Sequence, residues 1–457
     1  MSRSLLVLLV GLSVSQGTPA KHAAVAVHVA VRAAPVRARG VLDVRATIAA
    51  AHGVAAPICQ YAAGAIRNGN WQWSGDAPVT PLNPSGVTTA SDGDEALSTV
   101  DVAFLLDSLA SHDGCVREMA VRLLPFDEGE TAAAGLLQRL TAADSSLREM
   151  AAFGLGLVAP ERAVEPLMRV LRDASVGVRA DAAWALGRIG SGSALRALLG
   201  TFDDPAPVVR LSGVVAVGHM DSAAAVPALI KRLRIDESPA VRRTAAWALG
   251  QLGEDHGAIA ALSEALHGDK DIDVREMCGW ALGEIGNKDG TPSLLAALRD
   301  PSPRIRETSA WALAEIGDDA NGATLDRMLV TEHDSRVRAT LAWALGQLDA
   351  TATGPGLLAA VSDSSAGVRM RAAWAISQHG DKAAIPALRT ALAREKDSDA
   401  ARAEIRALIH SVDDPSELAS LLESKDASVR VAVTRALAGR RGPDPWPWPN
   451  PRPRPFP

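Results

Sequence analysis

The sequence predicts an all-α protein, an α-solenoid of about eleven two-helix repeats. Two observations lead there. The first is self-similarity at a fixed period: VRADAAWALGRIG from Val178 returns as VRRTAAWALGQLG from Val241, VREMCGWALGEIG from Val274, IRETSAWALAEIG from Ile305, VRATLAWALGQLD from Val337 and VRMRAAWAISQHG from Val368. The second is composition. Only one Tyr and five Phe occur in 457 residues rich in Ala and Leu, which suits small-residue helix packing better than a sheet sandwich.

Weaker copies extend the series, as VREMAVRLLP from Val116, LREMAAFGLGLVA from Leu147, VRLSGVVAVGHM from Val209 and VRVAVTRALAG from Val429. A degenerate copy surrounds Arg402. The motif arginines are then Arg117, Arg148, Arg179, Arg210, Arg242, Arg275, Arg306, Arg338, Arg369, Arg402 and Arg430, spaced by 28 to 33 residues. Each unit reads as two helices. The second starts at the Val-Arg pair, behind capping residues and prolines such as Asp204-Pro205, Ser238-Pro239 and Asp300-Pro301, because a short polar side chain accepts from the free helix N–H groups and proline at the first position forfeits no hydrogen bond. Gly190, Gly253, Gly286 and Gly317 end it. The first helix is the apolar stretch between, for example VEPLMRVL or VPALIKRL, with leucines at helical spacing.

Four segments follow along the chain. Residues 1–20 are expected to be a signal peptide: Arg3 precedes an apolar run from Leu5 to Val14 and then small residues, too short for a spanning helix of ~20 residues. Export to the periplasm or the exterior is therefore expected. The rival is an organelle transit peptide, since the next stretch is also Arg-rich and acid-free; a short membrane anchor is the weaker third reading. Residues 21–96 form an extension and linker, with a short helix expected over PICQYAAGAIRNG and turns around Trp71 and Trp73. Residues 97–441 are the solenoid. Residues 442–457, with proline at every second position, are expected to be a disordered, extended tail.

Charge and cysteine content exclude several classes. Residues 1–42 hold five basic residues and no acid, which leaves 42 basic against 53 acidic residues in the remainder, a net charge of −11. So acidic a body is a poor binder of phosphate backbones, and nucleic acid is set aside. Three cysteines, Cys59, Cys115 and Cys278, cannot form a disulfide framework and read as unpaired small hydrophobes.

The repeated tryptophan carries the functional argument. Trp184, Trp247, Trp280, Trp311, Trp343 and Trp374 each stand six positions after the motif Val or Ile. At about 100° per residue, Trp247 points roughly 145° from the centre of the face made by Val241, Ala245, Ala248, Leu249 and Leu252. Two readings stay open. Each Trp could lie over the neighbouring unit's second helix, or the column could be an aromatic strip for a ligand. Gln251, Glu284, Glu315, Gln347 and Gln378, four residues beyond it, and Arg243, Glu276 and Glu307, four before it, share that face. A wall of Trp edged by Gln and Glu suits a cationic or hydrogen-bonding polypeptide. The repeated Arg is read instead as a ladder to loop acids of adjacent units.

No catalytic or metal constellation emerges and no cofactor is expected. DKDIDVREMCGW from Asp269 opens like a calcium loop, but Val274 replaces the required glycine and Trp280 the required glutamate; helix capping by Asp271 or Asp273 explains it better. GSGSAL at Gly190 follows no strand and is not a phosphate cradle, and the ten histidines show no ligand spacing.

The pattern D-P-x-V-R-x-x-A-A-x-A-L-G-x-I-G followed by A-V-P-x-L resembles the HEAT-like repeats named after phycobilisome lyases, over about three quarters of the chain. The resemblance implies a right-handed superhelix used as a scaffold, with a few enzymes among its members. The expectation is thus an exported scaffold that binds a protein or peptide along its concave groove. The alternative by analogy is a bilin lyase or isomerase, although no attachment or proton-transfer residue is identifiable. The iron-binding deoxyhypusine hydroxylases use His-Glu dipeptides, and this sequence has none.

Overall fold

The computed structural model describes residues 97–437, apart from 127–129, 254–256, 349–352, 413–414 and 425–426. The expected leader, extension and tail lie outside the described residues.

Among the described residues every regular element is helical. Eleven second helices are present: Gly114–Leu123, Ser145–Val158, Val176–Ile189, Pro207–Gly218, Pro239–Leu252, Ile272–Ile285, Pro303–Ile316, Ser335–Gln347, Ala366–His379, Ser398–Ser411 and Ala427–Leu437. Each is preceded by a first helix, shorter in all but the first unit, such as Val226–Ile235 or Gly322–Thr331; in the last unit it is the 3-10 segment Pro415–Glu423. Successive second helices lie side by side, and a continuous core of Val, Leu and Ala runs between the two layers. The predicted eleven-unit solenoid is the observed fold.

Helix ends follow the local chemistry. Gly190, Gly253, Gly286, Gly317 and Gly380 take left-handed φ between 63° and 72° after the last turn, a conformation that costs a side chain with a Cβ. At the other end Asp144, Asp271, Asp334 and Asp397 accept N–H groups of the first turn as caps. The proline expectation needs correction at two places. Pro239 does open its helix, but Pro205 and Pro301 stand in the preceding loop, and the helices begin at Pro207 and Pro303. Asp204 and Asp300 accept instead from Ala206 and Ser302, just ahead of the helix. Their carboxylates have a second task in the ladder described below.

A glycine in the last turn of the second helix sets the spacing of the layer. A Cβ placed on Gly283 would lie 2.9 Å from Cα of Ala312 and 2.8 Å from Cζ3 of Trp311; at Gly346 the corresponding distances to Ala375 and Trp374 are 2.7 and 2.5 Å. Backbone meets backbone there, and the neighbouring indole lies across the gap. Only a residue without a side chain permits that approach.

Candidate functional site

The face expected to bind a partner is the surface of the second-helix layer, and the structure resolves the two readings of its tryptophans. Trp311 is wholly buried, Trp280 and Trp343 are 3% and 4% exposed, and Trp247 8%. Trp184 and Trp374 are half-buried. The rings of Trp184, Trp247, Trp280, Trp311 and Trp374 cover Gly156, Gly218, Gly250, Gly283 and Gly346 of the preceding unit. The column is therefore packed between repeats. Towards the N-terminal end it is more open: Phe153 stacks on Trp184 with ring centres 5.0 Å apart, and Val215 stands where the next indole would be. His219 meets Trp247 edge-on at 5.1 Å.

What the layer presents is polar. Gln251, Glu284, Glu315, Gln347 and Gln378 are all exposed along one edge. Arg243 and Glu307 are half-buried and Glu276 is buried. Between them lie groups that sequence reasoning missed. Arg304 is ion-paired with Glu276, and with Asp273 at 2.7 Å; Arg336 and Arg371 act on Glu307. Burial pushes Glu276 above the ordinary carboxylate range, with Arg304 only partly offsetting it, and does the same to Glu307 against the attraction of Arg336 and Arg371. The same burial holds Arg243 and Arg371 below the usual guanidinium value. Acids and guanidiniums thus mingle across units, most of them partly or wholly withdrawn from water and Arg336 exposed. Arg304 and Arg336 directly precede the motif Ile305 and Val337, so helical geometry sets them beside the residues two to three positions after the motif. Extending the face to that position would have found them.

The opposite flank carries the arginine ladder. Arg148 reaches Asp173, Arg179 Asp204, Arg210 Asp236, Arg242 Asp269, Arg306 Glu332, Arg338 Asp363 and Arg369 Glu395, each through Nε and Nη2 to both carboxylate oxygens at 2.6–3.0 Å. Arg275 completes the row at 3.6 Å from Asp300. Nη1 of each arginine also donates to a carbonyl of its own pre-helix loop, as Arg210 does to Asp204 O at 3.0 Å. The ladder expectation holds from Arg148 to Arg369.

One register needs correction. In the tenth unit the cap Asp397 and ladder acid Glu395 place the motif valine position at Ala400 and the ladder position at Ala401. Arg402 is exposed and paired with Asp399 of its own helix. A run of alanines hid a one-residue slip that only the cap reveals.

Cys278 occupies the core alanine position, fully buried, with its thiol pushed well up by burial. Among the described residues no group of three or more His, Cys, Asp or Glu is placed to hold a metal ion, and no helix is long and apolar enough to cross a membrane.

Paired helices in register, capped and laddered in this way, define an α-solenoid. The family pattern of HEAT repeats matches residues 133–217, 200–276, 259–346 and 328–409, and the chain belongs to the HEAT-repeat proteins. One solved structure agrees at the level of fold, and two more are similar over part of the chain. A chain of the Kap95p–RanGDP structure is 16% identical, with 75% of this chain and 57% of that one covered at a TM-score of 0.52. YibA of Escherichia coli is 24% identical (54% and 91% covered, TM-score 0.44). A chain of the CpcE–CpcF phycocyanin lyase complex from Nostoc sp. PCC7120 is 21% identical (55% and 96% covered, TM-score 0.33). No curated protein matches.

Proposed function

We infer that the protein is an exported scaffold that binds an extended protein or peptide segment along the second-helix layer, between residues 178 and 380. The observation that carries this reading is the row of acids and guanidiniums, Arg243, Glu276, Arg304, Glu307, Arg336 and Arg371, on the same helical face as the buried indoles of consecutive units and edged by exposed Gln251, Glu284, Glu315, Gln347 and Gln378. A solenoid repeats such groups once per unit on a rigid wall, which suits a chain that repeats its own donors and acceptors. Close approach of the second helices at their glycines supports placing the concave side there, because a stack bends toward its tighter layer. Mixed charge favours a polypeptide of mixed charge over a polyanion. Export is inferred from residues 1–20 alone.

Site-specific photocrosslinking in the producing cells tests the surface. A photoreactive residue at Gln251, Glu315 or Gln347 should give discrete adducts, and one at Lys231 or Arg327 on the first helices should not. Adducts from the first helices alone would overturn the assignment. Separately, an N-terminus beginning at Met1 in the mature chain would remove the export reading.

A further inference from the structure

We propose that Glu404 is a buried proton-binding group that docks the tenth helix, Ser398–Ser411, on the array in its protonated form and loosens it on ionising. The register correction exposes the oddity. Counted from Ala400, Glu404 falls on the core position held elsewhere by Ala182, Ala245, Cys278, Ser309 or Ala372. Its side chain has no exposed surface, and neither carboxyl oxygen has a hydrogen-bond partner at ordinary distance.

The charged groups acting on it are few. From the loop ahead of its own helix comes Glu395; from helix Ala366–His379 comes Arg369. Arg389 of helix Ile385–Leu392 is turned to the Glu417 carbonyl and Arg430 of the last helix to the Ser424 carbonyl. Glu395 is fully committed as an anion: it accepts Arg369 through both oxygens at 2.6 and 2.7 Å and the N–H groups of Lys396 and Asp397 at 2.8 Å. Two adjacent carboxylates cannot both ionise in a buried site, and the guanidinium and two amides choose Glu395. The proton therefore stays on Glu404, whose carboxyl is pushed up to about 8 by burial first and by Glu395 second, while Glu395 is held at about 2.

The position in the array gives this pair its leverage. Because Ala401 occupies the ladder position, the bidentate row ends at Arg369–Glu395, so packing of helix Ser398–Ser411 is not backed by a rung of its own. A carboxyl whose pKa is raised in the docked state favours docking fully below its free value near 4.5, and loses that advantage as pH rises to the docked value. Across the window from about pH 5 to 8 the local opening constant should rise about tenfold per unit and then level off. The end of the wall beyond residue 398 is thereby tightest in acid and loosest in mild alkali.

Hydrogen exchange of the full chain, corrected for intrinsic rates, reads this directly over residues 398–411 between pH 5 and 9. The wild type should show the tenfold slope, with helix Ser145–Val158 as an internal reference that lacks it. Glu404→Gln and Glu404→Ala, the latter restoring the residue type of other units, should each give a profile flat to within about twofold. If the wild type is flat, or if either folded variant keeps the slope, the proposal fails.

Discussion

At the scale of single residues the indoles and the glycines they cover are one device. Trp311 fills the space between helices Ile272–Ile285 and Pro303–Ile316 and leaves none of its surface in water. Truncating it removes a large apolar area and opens a cavity that a rigid stack cannot close, so Trp311→Ala should cost about 3–5 kcal/mol by denaturant unfolding. The half-buried Trp184 should cost distinctly less. Equal losses would show that the rings do not differ in packing as their burial indicates. Gly283→Ala tests the partner: its methyl would meet the backbone of Ala312 at 2.9 Å, and overpacking of this kind costs about 1–3 kcal/mol. Ala314, at the equivalent position one unit later, shows that a pair of helices can accommodate the methyl when spaced for it.

At the scale of helices the ladder couples successive units from the second to the tenth. Arg210 and Asp236 are nearly buried, and Asp236 also accepts the Ser238 N–H at 3.0 Å. Arg210→Met removes the bidentate partner and leaves that buried carboxylate only Arg232 Nη1 at 3.6 Å and the Ser238 N–H, so it should destabilise the array by about 1–3 kcal/mol, a penalty that comes from the under-paired charge rather than from the worth of the pair. Adding Asp236→Asn to the Met variant should recover part of it; no recovery in that double variant would mean that the loss is one of packing. The ladder also fixes an acid limit. At Asp173 the Arg148 hydrogen bond leads in lowering the pKa; at Asp204, Asp269, Glu332, Asp363 and Glu395 burial alone would raise it, but the guanidinium, the backbone N–H and their charge outweigh it. A carboxylate whose folded pKa is depressed contributes stability that is complete above its unfolded value near 4 and is lost as pH falls toward the folded one. Melting temperature should therefore fall steeply between about pH 4 and 2, and Arg369→Met should shift less over that interval because Glu395 no longer titrates near 2.

For the molecule as a whole, stability is a sum over units and their neighbours. Units between Pro239 and Ile316 are joined by rungs on both sides, whereas the row from Arg148 to Glu395 stops short of the first and last second helices. Hydrogen exchange should be slowest in the central second helices and faster toward Gly114–Leu123 and Ala427–Leu437; uniform exchange along the chain would mean a single cooperative block instead. The wall proposed for binding lies within the slow region, so a partner would meet a surface already ordered and would gain affinity from that rigidity.

The sequence by itself determined the helical class, the count of eleven units, the helix ends at glycine and the role of the arginines as a ladder, because each rests on short-range rules: a period, a cap, a charge six residues from its carbonyl. It brought Trp, Gln and Glu to one helical face as well, since angular position needs only residue number. Three matters depended on contacts between units some 30 residues apart, which periodicity does not encode. Burial of the indoles was decided by how closely the glycines let backbones approach, and the pairing of Glu276 with Arg304 by the stacking offset of neighbouring helices. The slip at Arg402 was decided by the Asp397 cap and by Glu395 pairing with Arg369 of the preceding unit, because an alanine-rich helix otherwise reads the same in two registers; burial of Glu404 is the consequence.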